Sequence, residues 1–62
     1  MVNISLHKKY ILYNIGRDIY FGKTNSKVMS KYTAAMDIKN LIIVSDTTFV
    51  VIYSNSLEVV TV

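Results

Sequence analysis

Apolar and polar residues alternate through the first third of the chain and run together in the last third, with a mixed, lysine-bearing stretch between. The alternating part reads as a β-hairpin over residues 9 to 23. Tyr10 to Ile15 and Asp18 to Phe21 flank Gly16-Arg17, and a glycine at the first of two central turn positions suits a type II′ turn, where φ is positive. That turn sets a register: Ile15 faces Asp18, Asn14 faces Ile19, Tyr13 faces Tyr20 and Leu12 faces Phe21. One face then collects Leu12, Ile19 and Phe21, and the other Ile11, Tyr13, Ile15 and Tyr20. Residues 2 to 6 add a short strand ahead of it.

In the middle stretch the period changes. Val28, Tyr32, Ala35 and Met36 recur at i, i+4, i+7 and i+8, which predicts one amphipathic helix from Lys27 to Ile38. Thr24, Asn25 and Ser26 are each cap formers, and Asn40 suits the left-handed end of a helix. No Glu or Gln stands three residues after any of the caps, so the reciprocal capping box is missing. Met29 and Met36 read as core filling on that helix.

After Asn40 come LIIVS, TFVVIYS and LEVVTV, separated by Asp46-Thr47 and Ser54-Asn55-Ser56, which predicts three strands joined by tight turns. Leu41 to Val44 and Phe49 to Tyr53 are apolar at consecutive positions, as in strands covered on both sides. The element order is therefore β-β-(β)-α-β-β-β. This gives one small α+β domain over residues 1 to 62, an antiparallel sheet of five to six strands with one helix; a small, curved, barrel-like sheet is the alternative.

A helix of about a dozen residues covers only part of one sheet face, yet the strands offer large apolar residues on both. The second face needs a cover. Either the sheet rolls up around its own side chains, or a second copy packs there, most simply as a two-fold dimer.

Composition narrows the possibilities. With 62 residues and no cysteine, neither disulfides nor thiolate metal sites are available to a domain whose core is marginal in size. The chain is 52% hydrophobic and 18% charged, which places it among folded and not disordered sequences. Its longest apolar runs fall far short of the roughly 20 residues of a membrane span. No secretory signal is visible, so Asn3-Ile4-Ser5 is not read as a glycosylation site and a cytoplasmic setting, in a bacterium or an infected host cell, is expected.

Charge is uneven. Residues 7 to 39 carry all seven basic groups against Asp18 and Asp37, a net +5, while residues 40 to 62 carry only Asp46 and Glu58, a net −2. Lys23, Lys27 and Lys31 would lie along one flank of the predicted helix, with Arg17 at the hairpin tip and Lys8 and Lys9 at its base. Together they outline an anion-facing surface. Tyr10, Tyr13 and Tyr20 supply stacking or interface rings beside it.

Gly22-Lys23-Thr24 resembles the end of a phosphate-binding loop only superficially. That loop needs four residues between its glycines, and five stand between Gly16 and Gly22, including the strand-forming Ile19-Tyr20-Phe21. Nucleotide binding is not expected. The four carboxylates are scattered, His7 is the single imidazole, and no serine sits in a nucleophile elbow, so neither an enzyme nor a metal or cofactor site is expected. The sequence points instead to a small oligomeric binding protein whose basic hairpin-and-helix surface engages nucleic acid or another anionic macromolecule. The competing reading is a protein-interaction module, an inhibitor or assembly subunit, using a sheet edge or a tyrosine-rich sheet face.

Overall fold

The computed structural model describes residues 2 to 62 and, among them, contains seven strands and no helix. Strands β1 (Ile4–His7), β2 (Tyr10–Ile15), β3 (Asp18–Lys23) and β4 (Ser30–Thr33) form one antiparallel sheet in that order, here sheet A. Strands β5 (Asn40–Ile43), β6 (Thr48–Ile52) and β7 (Leu57–Thr61) form a second, sheet B. The α+β expectation is thus corrected to all-β, and the barrel-like alternative to two separate sheets.

The β2–β3 hairpin has the register that its turn predicts, from Ile15 opposite Asp18 to Leu12 opposite Phe21 and on to Tyr10 opposite Lys23. Gly16 has φ +61°, the left-handed value that glycine takes without a Cβ penalty.

The predicted helix fails for physical reasons visible in its residues. A dozen residues without a capping box and with like charges four apart make a marginal helix in isolation. Ser30 to Thr33 instead satisfy the open edge of β3, where Tyr32 pairs with Ile19 and Lys31 with Tyr20. In that conformation the 3.6-residue stripe dissolves. Val28 is 81% exposed and Ala35 and Met36 are exposed, while Ala34 and Ile38 enter the core from the connection to β5. Asn40 opens β5 instead of ending a helix; its side-chain oxygen accepts the Leu41 N–H at 2.8 Å.

The two sheets pack face to face. Sheet A contributes Leu12, Ile19 and Phe21, and sheet B contributes Leu41, Ile43, Phe49 and Val51, with Tyr53 from the turn after β6. Phe49 is the hub, its ring 5.4 Å from Phe21 and 6.4 Å from Tyr32, the latter edge-on. Asn14 is buried among these residues at 1% exposure. Its Oδ1 accepts the Asn3 N–H at 2.8 Å and its Nδ2 donates to the Gly16 carbonyl at 2.7 Å. A buried amide satisfied in this way holds the start of β1 and the β2–β3 turn in place.

Leu41 to Val44 and Phe49 to Tyr53 are not covered on both sides as their apolar runs predict. Leu41, Ile43, Phe49 and Val51 point inward, while Ile42 and Val44 remain exposed. Among the described residues, eleven large apolar side chains are exposed against ten in the core, so the fold leaves apolar surface in excess of ordinary scatter.

Candidate binding face

That excess is organised by strand pairing. On the outer face of sheet A, Ile4 pairs with Tyr13, Tyr13 with Tyr20 and Tyr20 with Lys31, forming one row across four strands. The next row runs from Leu6 through Ile11 to Gly22. Met29 closes it: a Cβ on Gly22 would sit 2.8 Å from the Met29 sulfur, so the glycine leaves room for a thioether lying over it. The Tyr13 and Tyr20 rings stack at 5.2 Å with 23° between planes. Ile15 extends the face at the β2–β3 turn.

Strand β1 is inverted relative to ordinary amphipathic strands. Its apolar Ile4 and Leu6, 65% and 67% exposed, turn outward, while Ser5 pairs with the buried Leu12 on the core side. A strand normally buries its apolar set, so this alternation builds a second apolar face on sheet A and not a deeper core.

The basic residues singled out from the sequence separate into three groups. Lys8 and Lys9 form the β1–β2 turn, Lys23 ends β3, and Lys27 lies in the β3–β4 connection, all at one end of sheet A; the Thr24 N–H bonds the Lys9 carbonyl at 2.8 Å. None of these four has an ion pair among the described residues. Arg17 lies at the opposite end and donates from Nε to Asp37 at 3.2 Å. Lys31 stands beside Tyr20 with Asp18 4.0 Å away. The continuous helical lysine flank is therefore replaced by a cluster of four at one sheet end, with Lys31 on the face and Arg17 elsewhere. Of the tyrosines, Tyr13 and Tyr20 are on the outer face, whereas the half-buried Tyr10 stacks on Phe21 at 5.8 Å on the core side.

A shallow cleft of about 460 Å³ opens at the lysine end between the sheets, lined by His7, Lys8, Tyr10, Val44, Ser45 and Asp46. It brings a histidine, a serine and an aspartate together, but without the hydrogen bonds of a nucleophilic triad. The Ser45 hydroxyl instead lies 3.4 Å from that of Thr47 and accepts the Thr47 N–H at 3.3 Å. Among the described residues no three His, Asp or Glu side chains group as metal ligands.

Sequence reasoning missed one polar cluster altogether. Glu58 of β7 accepts hydrogen bonds from the hydroxyls of Tyr32 on β4 and Tyr53, the latter at 2.8 Å, and so ties sheet B to sheet A. The hydrogen bonds from Tyr32 and then Tyr53 hold the Glu58 carboxyl below its usual range. The Tyr32 hydroxyl, mainly through that bond to Glu58, is pushed up to about 12, and Tyr53 is raised first by burial and then by Glu58. All three shifts move these groups away from neutral pH, which suits a clamp and disfavours proton transfer. Tyr32 lies 26 residues from Glu58, and no local pattern announces that pairing.

No helix among the described residues is long and apolar enough to cross a membrane. The chain matches no protein-family model, no curated protein and no solved structure.

Proposed function

We propose that the protein is a non-enzymatic interaction module that takes a partner protein on the tyrosine-bearing outer face of sheet A. The observation that carries this reading is the inversion of β1, which spends Ile4 and Leu6 on that face beside Ile11, Tyr13 and Tyr20. Aromatic and aliphatic residues at the centre with charge at the rim are the composition of a protein interface. The lysines at the sheet end select for an acidic partner and speed its encounter. The cytoplasmic setting expected from the sequence belongs to the same proposal.

A second reading is favoured by a separate observation: Lys8, Lys9, Lys23 and Lys27 lie together without carboxylate partners among the described residues. Such a cluster at the end of a sheet face that carries the half-buried Tyr13 and Tyr20 suits the backbone of a single-stranded nucleic acid. Capture from the source cell with and without nuclease separates the two. The protein reading expects a partner that survives nuclease, is lost with Leu6→Asp, and is weakened by salt only through its rate of association. Capture that nuclease abolishes, and that Lys23→Glu with Lys27→Glu abolishes while Leu6→Asp does not, transfers the conclusion to nucleic acid.

A further inference from the structure

The lysine end of the molecule also carries bare aliphatic surface. Val28, in the connection from β3 to β4, is 81% exposed, the most of any large apolar residue described. It is held there. Ser26 donates its N–H to the Lys23 carbonyl at 3.1 Å, and its hydroxyl accepts the Val28 N–H at 3.1 Å. A Cβ on Gly22 would sit 3.0 Å from the Val28 carbonyl oxygen, so the glycine lets this loop lie close on β3. The Thr24 N–H bond to the Lys9 carbonyl sets the loop beside the β1–β2 turn. Val28 thus stands with Lys8, Lys9, Lys23 and Lys27, and Val44, 57% exposed, joins Lys8 in lining the cleft at the same end.

Charge at this end is nearly all of one sign. Of the four carboxylates, Asp18 and Asp37 lie by Lys31 and Arg17, Glu58 is bound to Tyr32 and Tyr53, and Asp46 alone faces the cleft. Four lysines against one carboxylate call for an anionic surface. The aliphatic tip says which. A nucleic acid offers phosphates but nothing for a projecting valine to enter, and Tyr10, the tyrosine at this end, is half-buried against Phe21 and leaves little face for a base. A protein needs a preformed pocket for such a tip. An anionic bilayer needs none, since its headgroups meet the lysines while the acyl boundary takes the valine. We infer that this end of the sandwich docks on the surface of a membrane rich in anionic phospholipid.

The contact is peripheral: Val28 enters and both sheets stay in water. Each lysine near an anionic surface contributes about fivefold, so four lysines offset by one carboxylate give roughly a hundredfold preference for anionic over neutral lipid. Such binding is reversible and weakens as salt rises. The inference does not rest on the partner-binding reading, because the tyrosine-bearing face of sheet A stays open when the end of the sheet meets a bilayer.

Flotation of the full chain with phosphatidylcholine vesicles, with and without about 30 mol% phosphatidylserine, tests it at about 0.1 M salt. The protein floats with the anionic vesicles and not with the neutral ones, and rising salt releases it. Lys23→Glu with Lys27→Glu lowers the partition at least about twentyfold. The chain has no tryptophan, so Val28→Trp is a single probe: its emission shifts to the blue on anionic vesicles, whereas that of Arg17→Trp, at the opposite end, does not. Val28→Asp lowers the partition about fivefold or more with the far-ultraviolet circular dichroism unchanged, so lost folding is not the cause. No flotation with anionic vesicles at about 0.05 M salt overturns the inference. So does flotation that leaves the Val28→Trp emission unshifted. Binding that Leu6→Asp removes and Val28→Asp leaves intact overturns it too, and returns the contact to the face of sheet A. Tighter retention on a single-stranded oligonucleotide than on anionic vesicles, insensitive to Val28→Asp, gives the lysines to nucleic acid and overturns it as well. Capture of the sheet A partner by Val28→Asp keeps the two proposals separable.

Discussion

Replacing Asn14 tests whether one buried amide holds the N-terminal half together. Asn14→Leu keeps the approximate volume and removes both the acceptor for the Asn3 N–H and the donor to the Gly16 carbonyl. A buried group left without a partner costs about 1–3 kcal/mol, and these two are partly buried, so the lower part of that range applies to each. The added apolar burial offsets part of the loss, leaving a net destabilisation of about 2 kcal/mol. A chain of this length has on the order of 3–9 kcal/mol in total, so the change is large. Thermal unfolding followed by circular dichroism should show Tm lower by about 10–15 °C, measured at one fixed protein concentration.

Asn14→Asp sharpens the test. It keeps an acceptor for Asn3 but points a carboxylate at the Gly16 carbonyl, so at neutral pH it should be less stable than Asn14→Leu. Burial raises the carboxyl pKa of that variant in the folded state, so the native form favours the proton. Its stability is fullest below the ordinary Asp range and is lost as pH rises through the raised value. An Asn14→Leu protein within about 0.5 kcal/mol of the parent, as an ordinary surface change would be, refutes the role assigned to Asn14.

Three further outcomes follow from the same structure. The folded-state pKa of Glu58 is depressed, so its contribution is present above the ordinary Glu range and lost as pH falls through the lowered value; Glu58→Gln should flatten that acid limb in pH-dependent urea unfolding. Tyr32 is raised to about 12, so its contribution holds below the ordinary tyrosine value and is lost as pH rises toward 12; ultraviolet titration should show late phenolates from Tyr32 and Tyr53, and Tyr32→Phe should remove the one near 12. Backbone strain gives opposite signs at two turns: Lys8 has φ +54°, so Lys8→Gly should stabilise by up to about 1 kcal/mol, whereas Gly16→Ala at φ +61° should cost about 1 kcal/mol in the same denaturant assay.

What was legible in the sequence was what short-range geometry determines. Gly16 sets the turn, the turn sets the register, and the register places Leu12, Ile19 and Phe21 on one face and Tyr13 and Tyr20 on the other. The three C-terminal strands are bounded by their turn residues in the same way. The middle segment looks helical in sequence because Val28, Tyr32, Ala35 and Met36 match a helical period, while the open edge of β3 is a tertiary demand that no local window reports. The apolar runs in β5 and β6 did not announce that one side stays bare, since consecutive apolar residues look alike whether one face is covered or two. For the outer face of sheet A, the alternation of Val2, Ile4 and Leu6 against Asn3, Ser5 and His7 is in the sequence, but not the side to which it turns. The lysines were the visible part; their grouping at one sheet end depends on β4 being a strand.

Both sheets are simple meanders, each strand paired only with its neighbour in sequence. For a chain emerging from the ribosome, this means that residues 4 to 33 can zip up before any of sheet B has been made. During that interval the nascent sheet is bare on both sides, Leu12, Ile19 and Phe21 on one and Ile11, Tyr13 and Tyr20 on the other. The arrival of residues 40 to 62 then hides the first of those surfaces and leaves the second bare.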